Sequence, residues 1–327
     1  MSDDSQPWRR WLIWGVRALV LALVCVGVSG TVQGALAELS RHEWHVRPIW
    51  LVAAGLFYAI GLVPMAWFWH KALVALGQPA PWTATLRAYY MGHLGKYVPG
   101  KAMAVVLRVA GIRKWVRSIR IALVTSLLET LTMMAVGAFL AAILSTLVLR
   151  LEPRLAVIGL AMAAAAGVPT LPPVARRLAR IGMARMKPNP QLETPTSNSA
   201  DSGANLDAIN LRLLSLGWGA AAVCWVLLGM SLWATLTALG ADRAQPVEDL
   251  PRLVAAVAFA VVAGFLSMLP GGLVVRDALL MQLLVPVCGK ANSLVAAVLL
   301  RLVWLVTEIA VCGILYVAAR SRERRAK

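Results

Sequence analysis

IWLVAAGLFYAIGLVPMAWFW, residues 49–69, contains no charged side chain, and its reading decides the fold class. A helix crosses the roughly 30 Å hydrocarbon core of a bilayer with about 20 mostly apolar residues. Inside that core only a helix or a closed barrel satisfies its own backbone N–H and C=O groups. The run ends on Trp67, Phe68 and Trp69, which read as an interfacial aromatic belt. Similar runs occupy Leu12–Gly34, Ile121–Leu149, Leu155–Val174, Leu213–Ala241 and Ala291–Ala319. Together they predict six spans in an all-α, polytopic helical membrane protein.

The composition agrees. Of 327 residues, 60% are hydrophobic and 14% charged, more apolar side chain than a soluble domain of this size covers with polar surface. Thirteen Trp suit two interfacial belts. The formal charge of +17 calls for an anionic partner. Its basic residues lie between apolar runs and no nucleic-acid module is visible, so lipid headgroups are expected rather than nucleic acid. Cys25, Cys224, Cys288 and Cys312 all sit in apolar runs without metal-ligand spacing, so they read as packing residues, with no metal and no cofactor implied. Arg9 and Arg10 before the first run resemble a signal peptide, but the run is long and lacks a small-x-small cleavage site, so it is read as a retained span.

Two regions do not fit plain spans. Residues 81–117, PWTATLRAYYMGHLGKYVPGKAMAVVLRVAGIRKWVR, are too basic to cross and too apolar for a loop, and break at Pro99–Gly100. Residues 253–289 begin uncharged, break at Pro270–Gly271–Gly272, meet Arg276 and Asp277, then resume as an apolar run. Both are expected to be re-entrant hairpins whose broken backbone is sheltered by protein. Residues 71–120 carry nine Lys or Arg and no acid, whereas Asp242–Arg252 has three acids against two Arg. By the positive-inside rule the basic segments and both termini are cytoplasmic. Residues 187–207, KPNPQLETPTSNSADSGANLD, form a polar cytoplasmic linker.

The order span, span, hairpin, span occurs twice, over 1–149 and over 150–327, within one membrane domain. VPGK at Val98–Lys101 answers LPGG at Leu269–Gly272, and Glu129 and Glu308 lie in the span after each hairpin. Inverted repeats with broken helices place a transporter's site between the repeats. Glu129, Arg301 and Glu308 lie at hydrocarbon depth, where an ionisable group costs about 2.5–3.5 kcal/mol on insertion scales and therefore faces a partner or a wet cavity. Arg301 and Glu308 are two turns apart, too far to pair directly; Glu129 is the expected partner of Arg301, with Glu308 of a second copy or through water as the alternative. Lys96, Lys101 and Arg108 flank the first break as a candidate phosphate cluster, and Arg276 and Asp277 flank the second. The bland reading makes the buried charges a helix-locking pair and the hairpin cations ordinary positive-inside residues. His42, Glu43 and His45 lack a third ligand for a metal, and His93 reads as structural or interfacial.

At these residues the chain resembles the membrane region of lysylphosphatidylglycerol synthases and its stand-alone, flippase-like relatives. The matching stretches are GHLGKYVPGKAMAVVLR (Gly92–Arg108), LLETL around Glu129, SMLPGGLVVRDALL (Ser267–Leu280) and LLRLVWLVTE (Leu299–Glu308). Arg301 and Gly313 match the family's last-helix Arg and Gly. Val274 stands where the family has Gly, and Asp277 where it has Glu. The resemblance implies lipid translocation or support of lipid-linked glycan assembly.

The leading expectation is therefore a non-enzymatic, flippase-like inner-membrane protein of a bacterium that moves or presents an anionic phospholipid or lipid-linked substrate. An oligomer is left open. The alternatives are a membrane glycosyltransferase using Glu38 or Glu43, and a non-transporting scaffold of the cell envelope. In the synthases the aminoacyl transfer belongs to a soluble domain after the membrane region, and only SRERRAK follows Arg320; aminoacyl-lipid synthesis is not expected.

Overall fold

The computed structural model describes residues 46–97, 103–149, 153–186, 205–240, 246–267 and 275–325. The first predicted span, Leu12–Gly34, and the linker at 187–204 lie outside them. Among the described residues the chain is all-helical, and five helices are long and apolar enough to cross a membrane.

The centre is a pair of antiparallel helices, α1 (Pro48–Ala75) and α7 (Leu211–Ala238). At 28 residues each they are about 42 Å long. The Arg47 N–H donates to the Ala238 carbonyl at 2.9 Å at one end, and the Ser231 hydroxyl donates to the Ala54 carbonyl at 2.8 Å further in. Toward the other end Gly217 lies under the Phe68 ring, where a Cβ would meet ring carbon at 2.5 Å. With lipid on both sides, close backbone approach at a small residue replaces the hydrophobic effect as the cause of helix association. The outer face of α1 is a stripe of exposed apolar residues, Ile49, Val52, Leu56, Ile60 and Trp67, at the spacing that fills one helix face. Such a stripe is an acyl-chain surface.

The predicted belt at residues 67–69 is corrected here. Phe68 and Trp69 are fully buried and only Trp67 is exposed. Consecutive residues point about 100° apart around a helix, so three in a row cannot share one environment. Trp69 instead donates its indole N–H to the Thr125 hydroxyl at 3.2 Å, and Trp225 donates to the Met133 carbonyl at 3.0 Å. These indoles pin the bundle internally.

Around the pair stand α4 (Ile119–Leu149), against α1 and α7, and α8 (Pro246–Leu266), against α4 and α7. α5 (Pro153–Gly167) packs on α4. Its 15 residues reach only about 22 Å, short of the predicted span to Val174, because Pro169 and Pro172 break the helix. α6 (Pro172–Arg185) follows as a separate element.

The first hairpin consists of α2 (Trp82–Leu94), a 3₁₀ turn at Gly95–Tyr97 and α3 (Met103–Ile112). The break at Pro99 and Gly100 lies outside the described residues. Buried Gln78, just before the first arm, receives the returning end: its Oε1 accepts from the backbone N–H of Arg117 at 2.8 Å and of Ser118 at 2.9 Å. The arms therefore leave and return at one end of the bundle, as a re-entrant element must.

The second hairpin has unequal arms. α8 by itself meets the length and apolarity of a span, contrary to the expectation that neither half of this region would, and it begins inside the acidic stretch read as a loop, with Glu248 and Asp249 in its first turn. The break at Pro270–Gly272 again lies outside the described residues. α9 (Val275–Arg325) is interrupted at Gly289, whose φ of 77° is left-handed, a conformation that glycine adopts without steric cost. Asp277 and Arg301, placed equally far before and after Gly289, form an ion pair, so the two limbs of α9 fold back on each other.

Candidate functional site at the meeting of two hairpins

The depth of the first hairpin can be followed along α1. Trp82, at its base, packs edge-on to His70 at 5.7 Å; the Tyr90 hydroxyl donates to the Ala59 carbonyl; and Lys96, at its tip, donates to the Tyr58 hydroxyl at 3.2 Å. From His70 to Tyr58 is about 18 Å of helix, roughly half a bilayer core. The short limb of α9 reaches the same depth. Its Arg276 guanidinium lies 4.5 Å above the Trp304 ring, and Trp304 stacks on Tyr58 at 4.5 Å with 14° between the ring planes. The described ends of the two hairpins, Lys96 of one and Arg276 of the other, thus meet beside the middle of α1.

Glu308, fully buried, is the anchor of that meeting point. Its Oε1 accepts from the Tyr58 hydroxyl and forms an ion pair with Lys96. The Lys96 ammonium also lies over the rings of Tyr97 (5.0 Å) and Tyr58 (5.7 Å), where it gains from the ring quadrupoles. Trp304 is held by its indole donating to the Ser231 hydroxyl at 3.0 Å. Asp277 pairs with Arg301, leaving Arg276 at 4.0 Å from Asp277 Oδ1, an ion contact too long for a hydrogen bond. Arg276 is buried, yet its Nε and Nη2 donate to nothing among the described residues. Glu308 Oε2 and Asp277 Oδ1 likewise accept from nothing there. A buried donor left unmet costs about 1–3 kcal/mol, more when charged. The cluster therefore sets three cations, Lys96, Arg276 and Arg301, against two carboxylates, with hydrogen-bonding capacity to spare.

A second polar cluster stands lower on the same hairpin. Glu129, buried on α4, pairs with Arg108 of α3 and accepts from the Tyr89 hydroxyl at 2.7 Å. The Arg108 guanidinium lies 4.1 Å over the Tyr89 ring. His93 rests on Tyr89, its Nδ1 3.1 Å from the Tyr89 carbonyl oxygen. Each carboxylate thus takes one tyrosine hydroxyl and one cation of the first hairpin.

These contacts correct one expectation. Arg301 does not pair with Glu129, which Arg108 occupies; its partner is Asp277. The hairpin arms bring their own counter-ions to the spans, and that register is set by packing rather than by sequence spacing. Arg276 and Asp277, expected to seek partners elsewhere, do so in part: Asp277 finds Arg301, and Arg276 finds the Trp304 face. Lys101, Pro99, Gly100, Pro270, Gly271 and Gly272 lie outside the described residues. Sequence reasoning passed over Tyr58, Tyr89 and Trp304. The only signal they carried was a polar aromatic in an otherwise featureless span, and such a residue usually finds a hydrogen-bond partner when buried.

Two hairpin tips meeting over buried charges in an all-helical bundle define a polytopic membrane protein of the broken-helix kind. The family model for the lysylphosphatidylglycerol synthase TM region matches residues 12–312, and the chain belongs to that family. No curated protein matches it.

Proposed function

We propose that this protein translocates or presents an anionic phospholipid or lipid-linked substrate, taking its phosphate at the meeting point of the hairpins. The observation that carries the reading is Arg276: a buried guanidinium on an indole face whose Nε and Nη2 make no hydrogen bond among the described residues, in a cluster with more cations than carboxylates. A guanidinium edge matches two phosphate oxygens in geometry and charge. The unmet oxygens of Glu308 and Asp277 suit a headgroup that carries hydroxyls beyond its phosphate. Membership of a lipid-synthase membrane family supports a lipid substrate. The reading assigns no covalent step to the cluster and makes the protein a carrier rather than an enzyme.

The repeats are read as residues 1–149 and 150–327, inverted, with the hairpins entering from opposite faces. The paired Glu129 and Glu308 clusters support that reading. The bundle end at Gln78 carries Arg113, Lys114 and Arg117, and the end where Arg47 meets Ala238 lies near Glu248 and Asp249. By charge the former is cytoplasmic, with both termini inside a bacterial inner membrane.

The test is reconstitution into vesicles holding a trace of headgroup-labelled phosphatidylglycerol, with leaflet accessibility followed in time. Wild-type protein is expected to speed equilibration, and Arg276→Gln to slow it by about ten-fold or more, the loss of one charged hydrogen bond. Equal rates for the two proteins, or for protein-free vesicles, would overturn the proposal.

A further inference from the structure

The last short helix before the linker, α6, has three faces rather than two. Ala175, Ala179 and Met183 pack on the bundle end against α4, in a buried cluster that includes Ile121, Val124, Ile209 and Leu214. About 110° away around the helix, Leu171, Leu178 and Ile181 are exposed, at 50%, 43% and 41%, and none of the described residues covers them. On the remaining side Arg177 and Arg180 are exposed, with Arg185 at the end of the apolar stripe. Arg176 is spent on the protein, donating to the Ile209 carbonyl at 2.9 Å and pairing with Asp207 at 3.2 Å. That bond fixes which way the helix is turned.

At 14 residues α6 is about 21 Å long, too short to span, and it carries no acid. It is attached to the same bundle end from which the first hairpin leaves, since Leu76, two residues before Gln78, lies in the same buried cluster. A helix with one face on protein, one face apolar and one face of exposed arginines fits the boundary between acyl chains and headgroups. Zwitterionic lipid would satisfy the apolar face alone, whereas the arginines call for negative charge.

We infer that α6 lies in the membrane plane as an anionic-lipid-binding surface, its Leu171, Leu178 and Ile181 in the acyl region and Arg177, Arg180 and Arg185 on phosphates. The surface is separate from the hairpin junction and does not depend on transport. It enriches anionic phospholipid next to the base of the first hairpin.

The inference is tested on the full-length protein in vesicles, with an environment-sensitive fluorescent amino acid at Leu178. Brominated acyl chains are placed either on phosphatidylglycerol or on phosphatidylcholine at the same overall composition. Quenching is expected with both, and more strongly when phosphatidylglycerol carries the bromine. Arg177→Gln, Arg180→Gln and Arg185→Gln together should remove that preference while leaving the quenching itself. Each arginine is worth about five-fold in local preference, weakening as salt is raised. Equal quenching from the two lipids in the wild type would overturn the inference. So would a label quenched only by aqueous iodide, or one shielded from both quenchers as a protein partner would shield it. Because all three arginines are exposed, the variant retains its fold, checked by its unchanged thermal transition.

Discussion

Arg301 and Asp277 share a pair that each could in principle have made with another residue, so their coupling can be measured. The pair is half-buried, 18% exposed on each side; removing one partner strands the other and costs about 1–3 kcal/mol, whereas removing both costs less. A double-mutant cycle between Arg301→Ala and Asp277→Ala, read from stability in detergent, should give a coupling of about 1–3 kcal/mol. The same cycle between Arg301→Ala and Glu129→Ala should give a value near zero, because Glu129 is held by Arg108 and Tyr89. Coupling to Glu129 instead would contradict the arrangement described above. The charges themselves were legible in the sequence: an ionisable residue in an apolar run stands out, and Lys96, Arg108, Glu129, Arg276, Asp277, Arg301 and Glu308 all did. Their partners were not legible. Lys96 meets Glu308 from far along the chain, and that contact follows from how deep the hairpin tip descends.

At the scale of the element, the first hairpin depends on glycines where its arms touch. A Cβ on Gly95 would lie 2.8 Å from the backbone of Ala104, which cannot move aside like a flexible side chain. Gly95→Ala should therefore part the arms, destabilise the protein by about 1–3 kcal/mol and draw Lys96 from Glu308, with transport falling alongside. Gly219→Ala, at a helical position with nothing within 4 Å, should be neutral or slightly stabilising, since alanine is the better helix former. Equal thermal transitions for the two variants would show that the arms are not in close contact. Apolar run length made α1, α4 and α7 readable to within a few residues. α6 was missed as an element because its prolines and arginines resemble a loop until the turn at Leu171 is seen to start a helix. α8 was underestimated because Glu248, Asp249 and Arg252 read as a boundary, although acids in a first helical turn are favourable.

For the whole molecule, the two ends of the bundle differ in charge, and by the positive-inside rule that difference predicts which end faces the cytoplasm. With the native cysteines replaced, a single cysteine at Glu248 should react with an impermeant reagent from outside the cell. One at Pro195, in the polar linker, should react only after the membrane is opened. Labelling of both from the same side would refute the inverted arrangement of the hairpins and, with it, a path running between them. Overall class was legible because it follows from summed hydropathy, a quantity indifferent to packing. The meeting of the two tips depends on packing alone.

Gln78, at one foot of the first hairpin, holds the backbone of the other foot with a single side-chain oxygen. Everything between those feet is thereby a cassette: α1 ends and α4 begins at the same place whatever the intervening segment contains. Descendants of such a chain could exchange the inserted segment, its cations and its tyrosines, without moving any span of the scaffold. Diversification of lipid preference would then be concentrated between two fixed points, while the helices that hold the protein in the membrane stayed as they are.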